Sequence, residues 1–184
     1  MEIKITTTQV LKLLQVLSWI IFIGLCIEAG SILFNVCYTF FVNPANTKTL
    51  LVDADLSGLY QYDRGYFIAV ALVLLIVAVL KAIMFYLIVQ LFTEKKLKLS
   101  QPFDSELKGF MVKQSYLALG IGLFAHAGFK YSVWLSNQGV VMPNTQQLHI
   151  AGADVWLFMA VVLFVIVQLV KRGIELQTEN DLTI

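Results

Sequence analysis

Two ionisable residues lie deep inside apolar stretches of the chain. Glu28 falls near the middle of a run at about 10–42, and Lys81 near the middle of a run at about 66–92. A charge at the centre of a bilayer costs roughly 2.5–3.5 kcal/mol on insertion scales, so a partner is expected to offset it. Adjacent antiparallel helices would bring both residues to similar depth. We therefore predict an intramembrane ion pair between Glu28 and Lys81, either a proton- or ion-responsive site or a structural pair that fixes helix register.

A second set of polar residues suggests a cavity that opens at one end of the helices. In the third apolar run, residues recur at four-residue steps from Ala118 to Lys130, and the small members allow close helix approach. The polar stripes are expected to converge on the interior, with plain interhelical hydrogen bonds as the alternative. The predicted cavity-lining residues are Asn35, His126, Lys130 and Asp154.

No combination of residues indicates catalysis or metal binding. His126 and His149 are the only histidines, whereas zinc takes three or four protein or water ligands. The sequence has neither a Gly-rich phosphate loop nor a nucleophile-elbow motif. Cys26 and Cys37 are too far apart along one helix for a disulfide. We therefore expect no enzyme activity, no catalytic residue, no metal and no cofactor.

The elements that must position these residues are membrane-spanning helices. Hydrophobic residues make up 59% of the 184 residues and charged residues only 14%, whereas soluble domains carry ~25% charged residues. A helix needs ~20 apolar residues to cross ~30 Å of hydrocarbon. The sequence predicts an all-α integral membrane protein, a single domain over 1–184 whose four helices form an up-down-up-down bundle. The predicted spans are about 10–42, 66–92, 110–135 and 155–170.

The distribution of basic residues predicts the orientation of these spans. Basic residues cluster before the first run, between the second and third runs, and directly after the fourth. Since such residues favour the cytoplasmic side, both termini are expected in the cytoplasm, and the loops at about 43–65 and 136–154 outside. The net charge of +1 gives no general attraction to nucleic acid. The predicted partner is the lipid bilayer, with no direct nucleic-acid binding.

The C-terminal segment mixes acidic and apolar residues beyond the fourth run. Such a segment is suited to docking a cytoplasmic partner, and a plain helix end is the alternative. The residues predicted to dock are Glu175, Leu176, Glu179, Asn180, Asp181 and Leu182.

The same segment carries a resemblance to a known family. Residues 173–184 read GIELQTENDLTI, which resembles the closing signature of domain of unknown function 2975, an uncharacterised bacterial family of four-span membrane proteins. The turn at 101–104, QPFD, is similar to that family's Pro-Phe segment. The resemblance covers essentially the whole chain and implies a bacterial cytoplasmic (inner) membrane protein. Members are often encoded beside a small helix-turn-helix regulator, and the resemblance implies no activity.

Residues and resemblance together predict a non-enzymatic membrane protein. The favoured function is a membrane sensor, or a binding partner, of a cytoplasmic helix-turn-helix regulator. The alternative is a component of a transporter or channel for a small molecule or ion. That alternative requires a homo-oligomer, because four helices are few for a pore.

Overall fold

The computed structural model describes residues 7–42, 54–94 and 104–181, most of which form α-helices. No β-strand occurs in these ranges, so the all-α fold class is confirmed. The helices are α1 (Thr7–Phe41), α2 (Ser57–Tyr62), α3 (Arg64–Thr93), α4 (Ser105–Asn137) and α5 (Ala153–Asp181).

The four long helices correspond to the four apolar runs of the sequence, but two features were not predicted. The short helix α2 precedes α3, and α5 continues well past residue 170 to Asp181. Two helices begin at an aspartate that accepts a backbone hydrogen bond, the usual N-cap arrangement. Asp63 accepts from the amide of Tyr66 at 3.0 Å, and Asp104 accepts from the amide of Leu107 at 2.7 Å.

The long helices pack side by side in an antiparallel series. α1 packs against α3, α3 against α4, and α4 against α5. Ring contacts fix α1 antiparallel to α3, since Phe22 meets Tyr86 at a centroid distance of 5.8 Å and Phe40 meets Phe67 at 6.1 Å. The two described chain ends therefore lie at one end of the series, which we call the terminal end. We call the opposite end, which carries α2 and residues 138–152, the loop end.

The series is open, because in the described ranges α1 makes no close backbone approach to α4 or α5. Residues 138–152 pack into the loop end of the interior. Leu148 and Ile150 from this connection are 1% and 3% exposed and belong to the same core as Phe67 of α3. A loop segment therefore occupies space that helix contacts would fill in a closed bundle.

The start of α5 lies well below the loop end of α4. His126 of α4 and Asp154 of α5 line the same surface depression, so they are at the same level. From that level α4 continues to Asn137, which is about 16 Å of further helix. The connection must descend that distance before α5 begins, and this brings its later residues between the helices.

Within residues 7–42, 54–94 and 104–181, three helical segments are long and apolar enough to cross a membrane: Gln9–Phe41, Arg64–Thr93 and Ala153–Glu179. α4 is similarly long but more polar. Large apolar side chains point outward along these segments, such as Leu13 (69% exposed) on α1 and Phe158 (68% exposed) on α5. Apolar surface this extensive is unusual for a soluble monomer. The structure therefore fits a multi-pass membrane protein.

Candidate functional site

Ionisable residues from three parts of the chain meet inside the helical series. Nδ1 of His149 lies 2.7 Å from Oε1 of Glu28 on α1. Lys81 on α3 donates from Nζ to the backbone carbonyl of His149 at 2.9 Å. One loop residue therefore joins α1 to α3, through its side chain on one side and its backbone on the other. We call Glu28, Lys81 and His149 the three-residue site.

This arrangement replaces the direct ion pair that the sequence predicted. Glu28 and Lys81 do lie at the same level, because both contact His149. No direct ion pair joins them in the part of the chain that the structure describes. The physical reason is that the connection before α5 enters the space between them, and the imidazole takes the carboxylate as its partner. The sequence had placed His149 in an outer loop, away from both residues.

The turn before His149 is held by its own hydrogen bonds. The amides of Leu148 and His149 donate to the carbonyls of Asn144 and Gln146, both at 3.0 Å. The side chains of Asn144 and Gln147 accept from each other's backbone amides at 2.8 and 3.0 Å. These bonds satisfy the backbone amides of four residues in the turn.

His149 has an uncommon backbone conformation. Its φ is 56°, in the left-handed region that residues with a Cβ rarely adopt. Its neighbours Leu148 and Ile150 are both buried, so the segment is anchored on each side of the histidine. Such local strain persists only where the surroundings fix it, and it marks positions that are worth testing for function.

The three-residue site is partly open to its surroundings. The side chain of Glu28 is 20% exposed and that of His149 is 43% exposed. In the described ranges, Nε2 of His149 has no hydrogen-bond partner, while Nδ1 is taken by Glu28. The arrangement brings a carboxylate, an imidazole and an amino group from three parts of the chain together at one loop residue.

The four residues predicted to line one cavity are separated. His126 and Asp154 do line a surface depression of about 290 Å³, together with Phe129 and Thr145 and residues 150–153. Lys130 lies one turn further along α4 and is exposed. Asn35 lies on α1, where its amide donates to Ser31 at 3.3 Å. Neither Asn35 nor Lys130 lines this depression.

Helix geometry explains why the stripe on α4 splits. Four residues turn an α-helix by about 400°, so each step drifts by about 40° and three steps drift by about 120°. Ala118 and Gly122 are buried, whereas His126 and Lys130 have rotated to the exposed side. The close approach expected for the small residues is confirmed. A Cβ on Gly122 would lie 2.8 Å from the side chain of Leu157 on α5.

A second depression, of about 220 Å³, lies at the terminal end between α3 and α4. Its lining includes Gln90 of α3 and Glu106 and Lys113 of α4, so it presents both charges and amide groups. No sequence pattern indicated it, because its residues come from the two sides of the connection at 95–103.

The predicted docking tail is the last part of α5. Arg172 and Glu175 form an ion pair at 3.0 Å, and Leu176 is 47% exposed. Glu179 is also exposed, and the helix continues through Asn180 and Asp181. Leu182 lies outside the described residues.

No metal-binding cluster of His, Cys, Asp or Glu is formed in the described ranges. Cys26 and Cys37 are free and exposed. In comparisons with known proteins, no family model, no curated protein and no solved structure matches the chain. The resemblance to domain of unknown function 2975 therefore stays a prediction, and function has to be argued from the geometry.

Proposed function

We propose that the chain is a four-span protein of the bacterial inner membrane that senses a change of charge at the three-residue site. It passes that change along α5 to a cytoplasmic helix-turn-helix regulator and is not an enzyme. The observation that carries this proposal is the position of His149. Its side chain contacts Glu28, its carbonyl contacts Lys81, and α5 begins four residues later at Ala153.

The membrane boundary is placed from the basic residues at the terminal end. Lys12, Lys108 and Lys171 lie near that end of α1, α4 and α5. About 20 helical residues cover the ~30 Å of hydrocarbon. Counting about 20 residues from Lys108 reaches Gly128, and counting back from Lys171 reaches Ala151, just before α5 begins. Glu28 is about 24 Å from Lys12 along α1, which places it in the outer half of the hydrocarbon.

The aromatic residues at the loop end support this boundary. The ring of Tyr66 contacts Trp134 at a centroid distance of 5.6 Å, and Tyr131 stacks on Trp134 at 5.7 Å. The cluster lies beyond the counted boundary, in the headgroup region, where Tyr and Trp are enriched.

α4 is proposed as the fourth span because three of its polar side chains point inward. Gln114, Ser115 and Ser132 are buried. The amide of Gln114 donates to the carbonyl of Met84 on α3 at 3.0 Å, and the hydroxyl of Ser115 donates to the carbonyl of Val112 at 2.8 Å. Average hydropathy counts these groups as polar, although the surrounding lipid does not contact them.

The coupling element is the connection before α5, which has two arrangements in this proposal, seated on Glu28 and Lys81 or released from them. Imidazole is the side chain that ordinarily changes charge between about pH 5 and 8. The charged groups at His149 are Glu28 from α1, which contacts the imidazole, and Lys81 from α3, which donates to the backbone carbonyl. Release of His149 would free the start of α5, a continuous helix of 29 residues. The tail of that helix and the depression at the terminal end then form the proposed regulator-binding face.

Co-purification of the chain with a helix-turn-helix regulator, the partner class that the family resemblance implies, tests the proposal. Replacing the exposed tail residues in the double variant L176S/E179K should reduce recovery of the regulator about five-fold or more, the effect of losing roughly 1 kcal/mol of contact. The matched control is Thr178→Ala, which is on the same segment but about 100° or more around the helix. Unchanged recovery with L176S/E179K would show that the tail is not the docking segment.

The sensing part is tested by Glu28→Gln and His149→Gln in the same assay. Both lie far from the tail, so a change in recovery requires coupling through α5. If both variants insert and recover the regulator as the wild type does, the tail docks a partner without sensing. Vesicles that contain the protein and conduct protons or common ions would instead favour the transport alternative.

A further inference from the structure

The depression at the start of α5 lies at the proposed outer boundary of the hydrocarbon. His126 and Asp154 line it, and Lys130 lies one turn beyond His126 on the same helix. All three side chains are exposed. In the described ranges, none of them has a hydrogen bond or an ion pair. At this level, three ionisable side chains on the outer surface are stabilised only by polar or charged groups from outside the chain.

The surface below these groups is apolar. On α5, Phe158, Val161 and Val165 follow Asp154 at four-, three- and four-residue steps, with exposures of 68%, 61% and 56%. On α4, Leu123 is 56% exposed on the side toward the terminal end. The polar groups therefore lie directly above apolar columns that face outward. An amphiphile with a polar head and long acyl chains matches this surface, with its head at the polar groups and its chains along the apolar columns.

The signs of the charges select the kind of headgroup. Lys130 and His126 of α4 supply a positive charge and a hydrogen-bond donor, while Asp154 of α5 supplies a negative charge. An anionic headgroup would satisfy the first pair but would leave Asp154 facing a negative charge. A zwitterionic headgroup with a phosphate and a primary ammonium satisfies all three, because the ammonium can donate hydrogen bonds to the carboxylate.

We propose that this depression binds the headgroup of an aminophospholipid of the outer leaflet. Its phosphate lies beside His126 and Lys130, its ammonium beside Asp154, and its acyl chains along the apolar columns of α4 and α5. The inference rests on the proposed membrane placement but not on the proposed regulator. Such a lipid would also cover the first turn of α5, beside the loop that holds His149.

The lipids that the protein retains in detergent test the proposed headgroup site. The full chain is reconstituted in equal parts of phosphatidylethanolamine and phosphatidylglycerol, extracted in mild detergent, and the retained lipids are measured by native mass spectrometry. We expect the wild type to retain phosphatidylethanolamine about two- to five-fold over phosphatidylglycerol, the range of a partly exposed charge pair. Asp154→Asn should remove that preference, and Asp154→Lys should reverse it. Glu175→Gln, which removes a carboxylate at the other end of α5, is the matched control.

The reversal keeps the test independent of stability, since a variant that merely unfolds has no reason to prefer phosphatidylglycerol. Equal lipid ratios for the wild type, Asp154→Asn and Asp154→Lys would overturn the proposed headgroup site. A second copy of the chain covering the depression would also overturn it, and would appear as a dimer without lipid. If neither the wild type nor any variant retains phospholipid, the headgroup site is overturned as well. Failure of the full chain to insert into the vesicles would be a separate result that contradicts the membrane placement.

Discussion

The contact between Glu28 and His149 gives the sharpest test of the three-residue site. A sequence-based interpretation pairs Glu28 with Lys81 directly, whereas the structure places the carboxylate 2.7 Å from the imidazole and lets Lys81 bind the loop carbonyl. Two double-mutant cycles separate these interpretations. One combines Glu28→Gln with His149→Gln, and the other combines Glu28→Gln with Lys81→Met. The interaction energy of each pair is the departure of the double variant from the sum of its singles.

The expected magnitude follows from the contact and its exposure. A hydrogen bond to a charged group contributes about 1.5–3 kcal/mol, whereas an exposed ion pair contributes about 0–1 kcal/mol. The His149 side chain is 43% exposed and that of Glu28 is 20% exposed, so solvent screens part of the interaction. We therefore expect a coupling of about 1 kcal/mol for Glu28 with His149, roughly a five-fold change in the unfolding equilibrium. For Glu28 with Lys81 we expect less than about 0.5 kcal/mol, because no direct contact joins them.

The free energy of unfolding can be measured by titrating folded protein in mild detergent with a denaturing detergent. Tryptophan fluorescence reports the transition, because Trp134 and Trp156 lie on the helices that flank the loop. All single and double variants of both cycles are compared with the wild type under one set of conditions. A coupling for Glu28 with Lys81 that equals or exceeds the coupling for Glu28 with His149 would refute the arrangement described above.

Further predictions concern the packing and the helix ends. Gly122→Val should destabilise the fold by about 1–3 kcal/mol in the same unfolding assay, because a Cβ there would lie 2.8 Å from Leu157. Gly24→Ala is its control, since no atom lies within 4 Å of that Cβ, and it should be neutral or mildly stabilising; equal losses for both would contradict the α4–α5 contact. Asp104→Ala should cost about 0.5–2 kcal/mol by removing the N-cap of α4, and Asp104→Asn should restore most of it. If Asp104→Asn loses as much stability as Asp104→Ala, the cap contributes nothing.

Much of the helical organisation could be predicted from the sequence. Apolar runs predict the four long helices, and aspartate, the residue type of Asp104 just before α4, is a common N-cap. The similar depth of Glu28 and Lys81 was predicted by counting residues along two adjacent antiparallel helices. Burial of Ala118 and Gly122 followed from their size and spacing. Each of these inferences depends on local composition or on helical periodicity.

The partner of Glu28 could not be predicted in this way. His149 reaches it because α5 begins about 16 Å below the end of α4. The apolar pattern predicts where each helix begins along the chain, but it does not give the height of one helix relative to the next. The apolar run at about 155–170 was visible, but a short fourth run is equally compatible with a loop that stays outside. The signals that could have found the descent are the apolar Leu148 and Ile150 on either side of His149. In a loop that lies in water, large apolar side chains on both sides of a histidine would be exposed at a cost in free energy.

A loop that descends into the helical layer also explains why the series is open. In a bilayer, exposed backbone groups are costly, so a non-helical segment is tolerated only within protein or beside water. The internal hydrogen bonds of the turn and the Lys81 ammonium satisfy the backbone around His149, while Leu148 and Ile150 fill the core. The ionisable residues therefore hold the loop in place, and in the proposed function a change in their charge releases it. Stability and the proposed response would then depend on the same contacts, so variants that abolish sensing should also lower the free energy of unfolding. A variant of Glu28 or His149 that loses regulator coupling at unchanged stability would separate the two roles and contradict this link.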